Sequence, residues 1–350
     1  MLRKKKIVIP FIIVIAFVLL PVVIRLILFP PHKSPEMTGN YTVSVAEYTW
    51  IDTSRIETYS DTGENRSVTV KVWYPEEEGS YPLVLFSHGA TGMIDSNTST
   101  CAELASNGYV AVSIAHPYQA IYVKSTDGKM TFIDSGFLQD VMTDNGESSI
   151  EHEQAIYKNS RYWMEIRTGD INFVMDTILK KAATEEESPF HKINPDKIGV
   201  FGHSLGGATA VMVGRQRSDI DAVINLEGTM FGEYIGFEDG KYIYNDVPYP
   251  VPLLDVYSRA IYEAASAIQT QEYVNFYTGR NAVTFHKAVF EDAGHLNFTD
   301  LPVVSPVLGK MLGTGDTNAL ECIEKVNSMV LHFFDYYLKD AESLDIQEEY

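Results

Sequence analysis

The sequence predicts an α/β fold in which a mostly parallel central sheet carries helices on both faces. Short apolar runs typical of buried strands alternate with segments of helical periodicity between residues 44 and 340. Within this pattern, a β-type run at residues 197–201 leads directly into Gly202, Ser204 and Gly206, which form a G-x-S-x-G motif. A helical segment follows, and strand, tight turn and helix in this order make a nucleophile elbow. Together these observations predict the α/β-hydrolase fold.

The remaining elements follow from the hydrophobic pattern. Strand-like runs occur at about residues 45–52, 67–74, 81–86, 109–115, 221–226, 251–256 and 283–290. Helical periodicity occurs at about residues 97–106, 151–181 and 317–339. Residues 116–150 show no sustained period, and we interpret them as a lid-like insertion. The hydrolase domain is therefore expected at residues 44–340, with an acidic tail at residues 341–350.

Residues 1–30 differ in composition from the rest of the chain. Basic residues at positions 3–6 precede an uncharged apolar run at residues 7–24, and about 18 apolar residues is the lower limit for a helix that crosses a bilayer. The basic flank favours a cytoplasmic N-terminus. Because no small-residue cleavage site follows the run, a transmembrane helix is favoured over the signal peptide of a secreted protein. Residues 31–43 would then link a single-pass anchor in the cell membrane to an extracytoplasmic catalytic domain.

Charge excludes one class of partner. The first 30 residues carry five basic and no acidic side chains, which leaves 22 Lys and Arg against 47 Asp and Glu, a formal charge of −25. Such a surface repels phosphate backbones, so nucleic acid is not an expected partner. The expected partners are a small-molecule or lipid ester and, through the N-terminal helix, the membrane.

The two cysteines, Cys101 and Cys322, exclude a disulfide-rich scaffold and a cysteine-based metal cluster. The sequence leaves open whether the two thiols pair. Hydrolysis by an activated serine requires neither a metal nor an organic cofactor, so none is expected.

Ser204 is the predicted nucleophile. Glycines at positions 202 and 206 give its hydroxyl clearance on both sides, so that Oγ can stand exposed above the sheet. This arrangement predicts serine esterase chemistry.

In this fold the acid and then the histidine follow the serine along the chain. Three histidines come after Ser204. His286 lies inside a predicted strand, and His332 lies within the apolar face of the last helix. His295 lies in a loop directly after a strand, where a base can take a proton from a serine at the strand ends. It is the predicted general base.

The acid must accept a hydrogen bond from Nδ1 of the imidazole. Glu227 and Asp255 each end an apolar strand, where an unpaired carboxylate would be unfavourable. Glu227 is favoured because its strand directly follows the elbow helix, and Asp255 remains the alternative acid.

The oxyanion requires two preorganised N–H donors. The amide of Leu205, directly after the nucleophile, is one, and the amide of Ala90 in the loop after an early strand is the other. Gly89 allows this loop to turn tightly, and His88 is interpreted as a structural hydrogen-bonding residue.

Several stretches of the chain resemble one known family. They are residues 86–89, 104–117, 167–176, 202–209 and 294–300. Over about residues 65–300 the chain resembles the platelet-activating factor acetylhydrolases, the plasma and type II lipid esterases. The resemblance implies calcium-independent hydrolysis of a short or oxidised acyl chain from a phospholipid. It also implies that the acid lies at Glu227, where the family has Asp, and the extra methylene keeps Asp255 open.

Other functions remain open at this point. The same elbow occurs in dienelactone-hydrolase-like and polyester-cleaving esterases, and the fold also supports amide or thioester hydrolysis. A catalytically silent domain that acts as a surface binding module is the alternative from a different class. Acyl-chain length, headgroup, physiological substrate and oligomeric state are not determined by these patterns.

Overall fold

The computed structural model describes residues 20–143, 149–186 and 188–350. At the centre lies an eight-stranded sheet. In order across the sheet the strands are β1 (Val43–Ile56), β2 (Asn65–Pro75), β4 (Val110–Ala115), β3 (Tyr81–Ser87), β7 (Ile193–His203), β8 (Ala222–Leu226), β11 (Leu253–Ser258) and β12 (Phe285–Phe290). Strand β2 runs antiparallel to its neighbours β1 and β4, and the pairs from β4 to β12 are parallel. The predicted mostly parallel sheet is confirmed.

Helices cover the two faces of this sheet. On one face lie α2 (Thr98–Ser106) and α10 (Ala319–Leu338), and on the other lie α4 (Ile150–Thr184) and α5 (Leu205–Gln216). Strand β3 shows why both faces need cover, since Val84 and Phe86 point to the first helical layer while Leu83 and Leu85 point to the second. All four side chains are completely buried. A continuous apolar run is what a strand covered on both faces requires.

Smaller elements lie between the main strands. They are the hairpin β5 (Tyr122–Lys124) and β6 (Met130–Phe132), α3 (Ser135–Thr143), the hairpin β9 (Tyr234–Glu238) and β10 (Lys241–Tyr244), α6 (Arg259–Ser266), α7 (Val274–Arg280), α8 (Leu301–Val304) and α9 (Pro306–Leu312). The β5–β6 hairpin and α3 belong to the predicted insertion at residues 116–150, of which residues 144–148 lie outside the described residues.

The predicted membrane anchor falls mostly on residues 1–19, which are outside the described residues. Residues 20–28 form a helix, α1. Among the residues that the structure describes, no helix combines the length and the apolar character needed to cross a bilayer. The two cysteines are buried free thiols.

Candidate active site

Ser204 lies at the turn between β7 and α5. Its φ of 55° is in the left-handed region, which is unfavourable for a residue with a Cβ and marks the strained elbow. The backbone N–H of Ser204 donates to the carbonyl of Leu226 at 2.8 Å, which ties the elbow to the end of β8. The hydroxyl caps no N–H of α5 and lines an open cavity.

The glycines beside the serine are required by close backbone contacts. A Cβ on Gly202 would lie 2.2 Å from the carbonyl oxygen of Gly206, and a Cβ on Gly206 would lie 1.9 Å from the carbonyl oxygen of Ser87. Both distances are far below a van der Waals contact. The elbow therefore needs glycine at these positions for packing, in addition to the access to Oγ that the sequence predicts.

Glu227 lies against His295. Oε2 of Glu227 accepts a hydrogen bond from Nδ1 of His295 at 2.7 Å, and its other oxygen accepts from the backbone N–H of Ser258 at 2.5 Å. The Glu227 side chain is 3 % exposed. Since Nδ1 carries the proton in this contact, Nε2 of the neutral imidazole is left as an acceptor. His295 lines the same cavity as Ser204.

Asp255 lies away from His295, completely buried behind the end of β8. Its carboxylate accepts hydrogen bonds from Asn225 at 2.8 Å, from Asn275 at 3.2 Å and from the hydroxyl of Tyr257. Burial raises the pKa of this carboxyl to about 7, against the lowering effect of those three donors. Of the two acids that the sequence offered, the structure therefore brings Glu227 to the histidine.

The loop after β3 passes directly beside the nucleophile. A Cβ on Gly89 would lie 3.1 Å from Cβ of Ser204 and 3.1 Å from Nδ1 of His203, so a larger residue here would require its neighbours to shift. Ala90, next in the chain, lines the cavity. Leu205 is the first residue of α5, where a backbone N–H has no partner within the helix. The two predicted oxyanion donors thus flank the serine from different elements.

His88 and His116 are fully buried behind this loop. Nδ1 of His88 donates to the carbonyl of Gly89 at 2.8 Å, and Nε2 accepts from the backbone N–H of His116 at 3.3 Å. Burial lowers the pKa of His88 well below its ordinary value and that of His116 to about 4, so both are neutral near pH 7. This geometry fits the structural role predicted for His88.

A third histidine supports the His295 loop. His203 is also buried. It donates from Nε2 to the backbone carbonyl of His295 at 2.9 Å, and the two rings lie 4.5 Å apart. Desolvation is the main cause that lowers the pKa of His203 well below its ordinary value. The neutral ring avoids a second positive charge beside the base.

The cavity has a volume of about 1030 Å³, and most of its lining surface is apolar. Leu301, Val304 and Leu312 of the segment after His295 form one wall. Of the described residues of the insertion at 116–150, Ile121 and Val141 line the cavity. A further wall comes from the segment after β3, between Gly89 and Ala102. The N-terminal segment also contributes lining residues, namely Phe29, His32, Ser34, Pro35, Glu36 and Met37. Phe29, from the predicted anchor, and residues of the predicted linker therefore form part of the cavity wall.

Sequence reasoning missed Arg167 and Ser258. Arg167 lies on the long predicted helix and is completely buried, and Ser258 supplies the second hydrogen bond to Glu227. An arginine among the apolar positions of a helix was the available signal for the first, because such a residue is rarely buried without a partner. The second is a backbone contact, and no side-chain pattern reveals it.

The sequence profile of the family described as "Platelet-activating factor acetylhydrolase, isoform II" matches residues 45–349, nearly the whole hydrolase domain. The chain belongs to this family. The match confirms the resemblance seen at the elbow, the histidine loop and the helix that carries Arg167.

Two members of the family show how far this sequence has diverged from its relatives. The chain is 23 % identical to the platelet-activating factor acetylhydrolase of Gallus gallus over 288 residues, 76 % of this chain and 64 % of that protein. It is 24 % identical to the one of Canis lupus familiaris over 285 residues, 76 % of this chain and 60 % of that protein. The chain thus spans somewhat less than two thirds of the length of these relatives.

Among solved structures, a ferulic acid esterase from Streptomyces cinnamoneus is similar in fold. The TM-score is 0.67, with 89 % of this chain and 95 % of that chain covered, at 21 % sequence identity. At this identity the likeness shows the α/β fold alone.

Proposed function

We propose that the chain is a serine carboxylic ester hydrolase that acts through Ser204, His295 and Glu227. The observation that carries the proposal is the 2.7 Å hydrogen bond between Glu227 and Nδ1 of His295, made at a cavity that also contains the strained Ser204. Membership of an acetylhydrolase family supports ester hydrolysis. Asp255 is not part of the proposed triad, because its carboxylate accepts hydrogen bonds from Asn225, Asn275 and Tyr257.

The first half-reaction forms an acyl-enzyme. Nε2 of His295 takes the proton of the Ser204 hydroxyl as Oγ attacks the ester carbonyl, and the buried Glu227 carboxylate stabilises the imidazolium that results. When the tetrahedral intermediate collapses, the bond to the alcohol oxygen breaks. The imidazolium returns its proton to that oxygen, and the alcohol leaves.

The second half-reaction repeats these steps with water. Nε2 of His295 takes a proton from the water that attacks the acyl-enzyme, and then protonates Ser204 as the acid product leaves. In both tetrahedral intermediates the negative oxygen accepts hydrogen bonds from the amides of Ala90 and Leu205. Such donors are worth several kcal/mol because they are in place before the charge develops.

The walls of the cavity favour an apolar group next to the ester. Its volume of about 1030 Å³ exceeds what an acetyl group needs, so the same site can hold a short acyl chain and a longer lipid-like alcohol. We therefore propose short-chain or lipid esters as the substrate class. Acetyl esters are the first candidates, because the relatives are named acetylhydrolases.

Residues 1–30 are proposed to anchor the enzyme in the cell membrane with the hydrolase domain outside the cytoplasm. The uncharged run at residues 7–24 behind basic residues supports this placement. The full chain should sediment with membranes and resist extraction by alkaline carbonate, while protease added to intact cells should digest the hydrolase domain. A chain recovered in the soluble fraction would contradict the anchor and leave the esterase proposal unaffected.

Covalent labelling tests the nucleophile. A fluorophosphonate should label wild-type protein at Ser204, and Ser204→Ala should lose both the label and the turnover of p-nitrophenyl acetate. The matched control is Ser99→Ala, since Ser99 lines the same cavity but donates its hydroxyl to Asp300. This control should retain label and activity. Labelling at another serine, or full activity in Ser204→Ala, would contradict the proposed nucleophile.

A further inference from the structure

Arg167 is a buried cation beneath the loop that carries Ala90. It extends from α4, and its side chain is 0 % exposed. Nε donates to Oε1 of Gln119 at 2.6 Å, Nη2 donates to the carbonyl of Gly89 at 3.2 Å, and Nη1 donates to the carbonyl of His88. Within the described part of the chain, these are the hydrogen bonds of this guanidinium, and none goes to a carboxylate.

These contacts fix the direction of the next amide. In a trans peptide the C=O and N–H groups point to opposite sides, and the described residues contain no cis peptide bond. The carbonyl of Gly89 points inward, where it accepts from both Arg167 and Nδ1 of His88. The N–H of Ala90 in the same peptide group therefore points away from Arg167, and Ala90 lines the cavity that also contains Ser204.

We propose that Arg167 is a positioning residue for the oxyanion hole. By holding the carbonyls of His88 and Gly89, it aims the N–H of Ala90 at the substrate oxygen and polarises the peptide group that carries this donor. The inference rests on the proposed function, because an oxyanion forms only if Ser204 attacks a carbonyl. Arg167 itself is screened from substrate by the loop, so it acts through Ala90.

An arginine suits this role better than other residues. Two carbonyls in adjacent peptide groups require two N–H donors in a fixed fork, which the planar guanidinium provides and a lysine ammonium does not. Burial lowers the pKa of Arg167 to about 9, so the side chain keeps its positive charge near pH 7. That charge lies where it favours negative charge on the substrate oxygen.

The charge is balanced by a network rather than by one partner. Asp170, one helical turn away, is fully buried and accepts from Arg66 at 2.7 Å, from Arg55 at 2.9 Å and from His116 at 2.9 Å. Asp52 pairs with Arg55, and Glu57 pairs with Arg66. The ion pairs thus join two arginines to three acids. Arg167 is a third arginine beside them, which interacts electrostatically with Asp170 while two of its donors go to the oxyanion loop. A buried cation without such compensation would be strongly destabilising.

Arg66 provides a matched control. Like Arg167, it is buried, positively charged and in electrostatic interaction with Asp170. It donates to Asp170, Glu57 and the carbonyl of Pro117 rather than to the oxyanion loop. Arg167→Met and Arg66→Met each remove one buried positive charge that interacts with Asp170. Only the first removes the contacts to His88 and Gly89.

The experiment compares kcat, KM and the affinity for an alkyl trifluoromethyl ketone, which adds to the serine and forms an oxyanion. In Arg167→Met, kcat and the ketone affinity should both fall by about 100-fold, the scale of losing one oxyanion donor, with KM for p-nitrophenyl acetate little changed. Arg167→Lys should recover only part of the loss. Arg66→Met should lower the melting temperature but keep kcat and the ketone affinity of the folded protein within a few-fold of wild type.

Gln119→Leu is a second variant, which tests the same inference if Arg167→Met does not fold. It removes the acceptor of Nε while Arg167 stays in place, and kcat should fall about tenfold at unchanged KM. Wild-type kcat and ketone affinity in folded Arg167 or Gln119 variants would overturn the inference, as would equal losses in Arg66→Met. If wild-type protein hydrolyses no carboxylic ester, the proposed function fails instead, so the two failures are distinguishable.

Discussion

The backbone N–H of Ser258 donates to Oε1 of Glu227 at 2.5 Å, across the ends of two neighbouring strands. Ser258 ends β11, the strand that also carries Asp255. The hydrogen bond directs the remaining oxygen of Glu227 to His295, 2.7 Å away. Strand β11 carries the alternative acid, Asp255, but its contribution to the site is the backbone N–H of Ser258, which orients Glu227 at the end of β8.

Exchange of the two carboxylates for amides tests this arrangement. Glu227→Gln should lower kcat about 10³- to 10⁴-fold, because an amide cannot stabilise the imidazolium and can hold the histidine in the wrong tautomer. Asp255→Asn should change kcat by less than about tenfold, since the group lies one strand away from the base. Steady-state kinetics on p-nitrophenyl acetate measures both. A collapse in Asp255→Asn with an active Glu227→Gln would reverse the assignment.

Asp255 should make stability depend on pH. Burial raises its pKa from 3.8 to about 7 in the folded protein, so between these values the folded state holds a proton that the unfolded chain releases. The favourable contribution is complete below about pH 4 and is lost as the pH rises to about 7. In Asp255→Asn, the free energy of unfolding should therefore fall less over this interval than in wild type.

Urea unfolding at several pH values between 4 and 7 provides the measurement. Asp300, whose pKa burial raises to about 6, titrates in both proteins and cancels in their difference. Parallel pH profiles for wild type and Asp255→Asn would show that the Asp255 carboxyl is already ionised at pH 4.

The N-terminal wall of the cavity should influence substrate choice. Phe29 and Met37 line the cavity with side chains that are 44 % and 52 % exposed, so a bound acyl or alkyl chain can cover them. Replacing both by alanine should raise KM for p-nitrophenyl octanoate about tenfold relative to acetate, given about 0.8 kcal/mol for each buried methylene. The value of kcat for acetate should stay within about twofold.

Val283→Ala is the control for this change, because Val283 is 70 % exposed and lies outside the cavity. It should leave the ratio of the two KM values unchanged. If the Phe29 and Met37 variant also keeps the wild-type ratio, the segment does not contact the substrate chain.

The elbow glycines should be intolerant of a single methyl group. In Gly202→Ala the new Cβ would lie 2.2 Å from a backbone oxygen that cannot move without unwinding the start of α5. We expect a loss of about 3 kcal/mol or more in the free energy of unfolding, as for severe overpacking. Gly136→Ala, in α3, should be neutral or slightly stabilising, because the Cβ meets only a side-chain oxygen at 3.1 Å and alanine favours a helix.

Denaturant unfolding of the two alanine variants separates these expectations. Equal stability of Gly202→Ala and wild type would mean that β7 and α5 can separate at the elbow. A loss in Gly136→Ala as large as that in Gly202→Ala would instead show a general effect of substituting glycine in this protein.

Local patterns determined most of the architecture. The predicted strand at residues 81–86 corresponds to β3, and the predicted helix at residues 151–181 corresponds to α4. The two patterns differ because a strand buried on both faces is a continuous apolar run, whereas a helix buried on one face repeats its apolar residues every three or four positions. Ser204 and His295 were also selected as candidates from the sequence, since the elbow motif and a histidine after a late strand are short-range features.

Tertiary structure alone decided the rest of the site. Glu227 and Asp255 look alike in the sequence, and only the packing of β8 beside β11 shows which one reaches His295. The contact of Arg167 with Gly89 spans 78 positions, and the place of Phe29 and Met37 beside Ser204 depends on how the N-terminal segment crosses the domain. Periodicity and motifs indicate the secondary structure and burial of a residue, because these depend on its neighbours in the chain. Contacts between residues far apart in the sequence are formed only when the sheet and its helices pack together.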